Sequence, residues 1–75
     1  MPTLRDFGNF QIRIYFKGHN PPHVHLVSPE ETALVRIADG VVIRGAIDAS
    51  MLARARTWVA EHKSELLAKW TEFQK

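Results

Sequence analysis

Three of the four histidines in this 75-residue chain fall within seven positions, His19-Asn20-Pro21-Pro22-His23-Val24-His25. Imidazole binds metals, moves protons near neutral pH and contacts phosphate, so the cluster admits three chemistries. On a strand, His23 and His25 point to one face and can offer two imidazoles to one ion. His19 or Glu30 would then be the third ligand, with one position left for water. In RNA cleavage without metal, one histidine takes the 2′-hydroxyl proton and another protonates the leaving oxygen. His23 or His25, with Lys17, Tyr15 or Arg13 beside them, could fill those roles. The third possibility is structural. Pro21 and Pro22 donate no backbone N–H, and histidines around them can serve the carbonyls of the turn. The spacing singles out none of these, so no metal or other cofactor is favoured and a non-enzymatic role leads.

The elements that must position these residues are legible from periodicity. Phe10 to Phe16 alternates strictly, which predicts a half-buried strand with Phe10, Ile12, Ile14 and Phe16 inward and Gln11, Arg13, Tyr15 and Lys17 outward. Gly18 to Pro22 stops it with an extended, stiff link. Val24 and Leu26 then face the core as a short second strand, opposite His23, His25 and Val27. Thr32–Ile37 and Val41–Ile47 flank Ala38-Asp39-Gly40, a hairpin signal. A three-residue loop with Gly40 left-handed pairs Ile37 with Val41 and Val35 with Ile43. That choice keeps Ala33, Val35, Ile37, Val41, Ile43 and Ile47 together on the inner face.

From Ala49 the apolar spacing becomes helical through Leu52, Ala55, Val59, His62, Leu66, Trp70 and Phe73, with Asp48 or Ser50 as the cap. An unbroken helix over residues 50–73 would run about 36 Å at 1.5 Å per residue. A domain of this size is only about 30 Å across, which predicts a break at His62-Lys63-Ser64. Trp58 and Trp70 are expected as core anchors. The fold class is therefore α+β. A single domain over residues 1–75 carries a four-stranded antiparallel sheet with two C-terminal helices packed on one face (β-β-β-β-α-α).

The sheet face turned from the helices would gather Arg13, Tyr15, Lys17, His23, His25, Arg36 and Arg44, with Val27, Leu34 and Val42 among them. Basic and aromatic side chains there suit phosphates or bases, whereas the apolar ones suit a protein partner. Ten Lys plus Arg against eight Asp plus Glu leave a net charge of only +2, which gives no independent argument for nucleic acid. No cysteine is present, so disulfides and thiolate metal sites are excluded. No apolar run nears the ~20 residues of a membrane helix and no leader is evident. A soluble cytoplasmic protein with no membrane role is expected. Chains this short bury roughly 60% of their unfolded surface and commonly need a staple or partner.

The Ile-Arg-Ile-Tyr-Phe strand, the His-x-Pro-Pro-His-x-His turn, the Asp39-Gly40 hairpin with Gly45, and Trp58, Glu61-His62, Glu65-Leu66-Leu67 and Trp70 together resemble the small proteins of domain-of-unknown-function family 4160. The resemblance implies a short bacterial or archaeal protein, often encoded beside another small protein in a toxin–antitoxin-like arrangement. It carries over no catalytic residue. The leading expectation is an interaction module of such a two-gene pair, acting as a homodimer or with the neighbouring gene product. An RNA-directed toxin and a metal-binding protein are the alternatives.

Overall fold

A computed structural model describes residues 3–14 and 20–73 of the chain. Five strands precede two helices: β1 (Thr3–Asp6), β2 (Gln11–Arg13), β3 (His23–Val27), β4 (Thr32–Arg36), β5 (Val42–Ala46), α1 (Ala49–Glu61) and α2 (Lys63–Phe73). The strands form one antiparallel meander in the order β1-β2-β3-β4-β5. The α+β class and the paired C-terminal helices agree with the sequence, but the sheet has five strands, not four. The added strand, β1, has only one apolar residue, Leu4, packed against the core, so it carries no alternation to read.

The core forms where the strand and helix patterns predict. Phe10, Ile12, Val24, Leu26, Val35 and Ile37 pack against Ala55, Val59 and Leu66 of the helices. Phe10 also stacks face to face on Phe7, with ring centroids 4.6 Å apart, and the Arg54 guanidinium from α1 lies over both rings. The turn before β2 is thereby fastened to α1.

The β4–β5 hairpin departs from expectation in register. Val35 pairs with Val42 and Leu34 with Arg44, so Ile43 is a bulged extra residue. Val41 and Ile43, expected inward, are 42% and 39% exposed, and Val42 packs on the core instead. The cause is a longer loop. The Arg36 N–H donates to the Val41 carbonyl, and the Gly40 N–H to the Arg36 carbonyl, leaving four residues in the turn. Ile37 leaves the ladder to donate its N–H to the Pro22 carbonyl at 3.0 Å, while its side chain stays buried. Gly40 is left-handed as expected, at φ 73°.

Asp48 caps α1. Its Oδ2 accepts from the N–H groups of Ser50 (3.0 Å) and Met51 (3.3 Å) and from the Ser50 hydroxyl. Glu31 holds this cap in place by accepting the Asp48 N–H at 3.0 Å. The helical run breaks at His62, whose backbone turns to φ −115° and ψ 17°. Its ring lies on Trp58, with centroids 4.2 Å apart, and its Nδ1 donates to the Trp58 carbonyl at 2.8 Å. A terminal carbonyl of α1 is satisfied by the side chain of the residue that ends it. The break lets both helices cover one sheet face within a longest dimension of 32 Å.

Candidate functional site

Strand register composes the candidate surface. Thr3 pairs with Arg13, Arg13 with His25, His25 with Leu34, and Leu34 with Arg44. Partners in register share a face, so Arg13, His25, Leu34 and Arg44 form one row across four strands. The adjacent row runs Asp6, Gln11, Val27, Thr32 and Ala46. Arg13, His25 and Leu34 are half-buried, and Arg44 is exposed. The sequence reading thus brings Arg13, His25 and Arg44 together, with Leu34 between two of them.

Arg13 is held in place by a polar chain. Its Nε donates to Gln11 Oε1 at 2.9 Å, with its Nη2 on the same oxygen, and Gln11 Nε2 donates to Asp6 Oδ2 at 3.2 Å. This orients the guanidinium without cancelling its charge, since the amide beside it is neutral. Arg36 is arranged differently. Its guanidinium meets Asp39 in a two-point pair at 2.8 and 2.5 Å, so its charge is compensated inside the hairpin. That pairing holds the Asp39 carboxyl down at about 2, mainly through the Arg36 hydrogen bond. Among the described residues this is the one ion pair formed.

The two histidines of β3 have different environments, although their spacing suggested a shared open face. His23 pairs in register with Arg36, yet it is only 7% exposed. Trp70, one helical turn beyond Leu66, reaches over it with ring centroids 4.9 Å apart. His23 therefore does not belong to an open surface. Its Nδ1 donates to the Pro21 carbonyl at 2.9 Å, which fixes the tautomer and uses one of the carbonyls left by the proline pair. The His25 ring lies 5.2 Å from that of His23, tilted by 53°. Burial, and secondarily the charge of His23, lower the His25 pKa below its usual value and favour the neutral imidazole.

Other candidates fall elsewhere. Glu30 lies in the turn beyond the far end of β3 from His23 and is exposed. Among the described residues, no three His, Asp or Glu side chains are grouped as a metal site. Tyr15, Lys17 and His19 lie outside the described residues. A recess of about 490 Å³ is away from the histidines, between the hairpin turn and the helices, and is lined by Ile37, Asp39, Gly40, Arg56, Val59 and Lys63. A smaller one of about 240 Å³ borders Arg13 and Val27. Arg56 donates to the Gly40 carbonyl at 2.7 Å and ties α1 to the hairpin.

A family model described as a domain of unknown function (DUF4160) matches residues 9–71. The chain belongs to that family. The DUF4160 segment runs from before β2 into α2 and so contains the histidines, the row of Arg13, His25, Leu34 and Arg44, α1 and most of α2, while β1 precedes it. Comparison with curated proteins and with solved structures gives no significant match to either. No helix among the described residues is long and apolar enough to cross a membrane.

Proposed function

We propose that this DUF4160 protein is a non-enzymatic interaction module, one component of a bacterial toxin–antitoxin-like gene pair, which holds an acidic protein partner on the outer face of its sheet. The observation that supports this reading is the row Arg13–His25–Leu34–Arg44. It sets an apolar side chain next to arginines that no carboxylate among the described residues neutralises. Stacking two copies of this face would bring like charges together, which argues against self-association here. Nucleic acid would satisfy the arginines but leave Leu34 and Val27 against phosphate or water. An acidic protein patch with an apolar centre matches both features. Five paired strands provide a firm platform, so the contact groups are ordered before binding. An RNA-cleaving role needs two histidines that reach a polynucleotide backbone, and Trp70 over His23 leaves no room for one there.

Co-expression with the product of the adjacent gene tests the proposal. The two proteins should co-elute as a defined complex that weakens as salt rises. Arg44→Glu should disrupt it, whereas Lys63→Glu, the same charge change on the exposed start of α2, should not. Equal retention by wild type and Arg44→Glu would refute the assignment of this face.

A further inference from the structure

We infer that His23 and His25 form a two-imidazole chelate for a divalent ion of the imidazole-preferring class, such as zinc, nickel or copper(II). Metal capture by this pair needs no partner protein. The first support is the bite. With metal–nitrogen bonds of 2.0–2.1 Å, an ion lies about 3.2 Å from the centroid of each imidazole it binds. Two rings 5.2 Å apart then subtend about 110° at that ion, the tetrahedral angle. Alternation along β3 puts both residues on one side of the strand, so the separation comes from the backbone rather than from chance side-chain contact.

The second support is the hydrogen bond behind His23. Its Nδ1–H donates to the Pro21 carbonyl, which leaves Nε2 as the lone-pair nitrogen and fixes the ring. A backbone carbonyl behind a ligating imidazole is the usual device for orienting it and raising its basicity. The carbonyl is itself well held, because the next residue, Pro22, accepts the Ile37 N–H. Nearby cations are drawn away, Arg13 toward Gln11 and Arg36 toward Asp39. With two protein ligands and water completing the shell, the affinity belongs in the micromolar range, below that of structural zinc sites.

Trp70, 4.9 Å from His23, supplies a built-in reporter. Copper(II) chloride titrated into the full-length chain without an affinity tag should quench tryptophan emission saturably at one equivalent. Trp58→Phe, which leaves Trp70 as the single tryptophan, should retain the quench. His25→Gln should weaken it by at least about tenfold with unchanged circular dichroism, and His62→Gln should leave it intact. His23→Gln should act like His25→Gln where it folds, but the half-exposed His25 decides the matter. Quenching that is not saturable, or equal in wild type and His25→Gln, would overturn the assignment.

Discussion

Gly45 allows the sharpest energetic prediction, because it follows Arg44 and pairs with Ala33 next to the Leu34–Arg44 pair. Its backbone lies at φ 78°, where an alanine is disfavoured by about 1–2 kcal/mol. A Cβ at this position would also stand 2.3 Å from the Thr32 carbonyl oxygen, a backbone atom that cannot swing aside. Gly45→Ala must therefore separate β4 from β5 in addition to straining the residue. We expect about 3 kcal/mol of destabilisation, taking the φ term and a further 1–3 kcal/mol for overpacking. In a domain of this size that corresponds to a fall of roughly 12–24 °C in melting temperature. Gly8→Ala is the control. Gly8 sits at φ 94°, but a Cβ there meets nothing within 4 Å, so only the φ term applies. Thermal melts followed by circular dichroism should place Gly45→Ala well below Gly8→Ala. Equal melting temperatures for the two variants would refute the close approach of Gly45 to Thr32.

Two further outcomes follow from the packing and the hairpin. Trp70→Ala removes a buried indole from both the core and His23; truncations of this kind remove about 3–5 kcal/mol, and cooperative melting should be lost while Trp70→Phe still folds. The Asp39 carboxyl is depressed from 3.8 to about 2 in the folded state, so its stabilisation is full above the unfolded value and disappears as pH falls through about 2. The melting-temperature gap between wild type and Asp39→Asn should close across that interval, and a gap independent of pH would contradict the Arg36–Asp39 pairing.

Much of this fold is written in local periodicity. Alternation from Phe10 and at Val24–Leu26, the Asp39-Gly40 turn and the helical stripe from Leu52 to Trp70 each rest on one residue pattern, and the buried set follows them. The missing strand and the slipped register have the opposite character. β1 is held by pairing to β2 rather than by an apolar face. The hairpin register depends on Ile37 donating to Pro22, fifteen positions away, and no pattern within β4 and β5 encodes that bond. At the candidate site, strand parity puts Arg13, His25 and Arg44 on one face, and the register sets them in one row. It could not show that Trp70 would cover His23, because that contact depends on where the helix break at His62 sends α2. The break itself was legible from length, though the stacking of His62 on Trp58 that holds it is visible only in three dimensions.

The outer sheet face, rather than the helical side, is the surface proposed to meet a protein partner. Amide chemical shifts of the isotope-labelled chain, titrated with the purified adjacent gene product, test it residue by residue. The largest changes are expected at Arg13, His25, Leu34 and Arg44, with Arg56, Thr57 and Lys63 of the helical groove unmoved. Changes centred on that groove, with the arginine row silent, would contradict it.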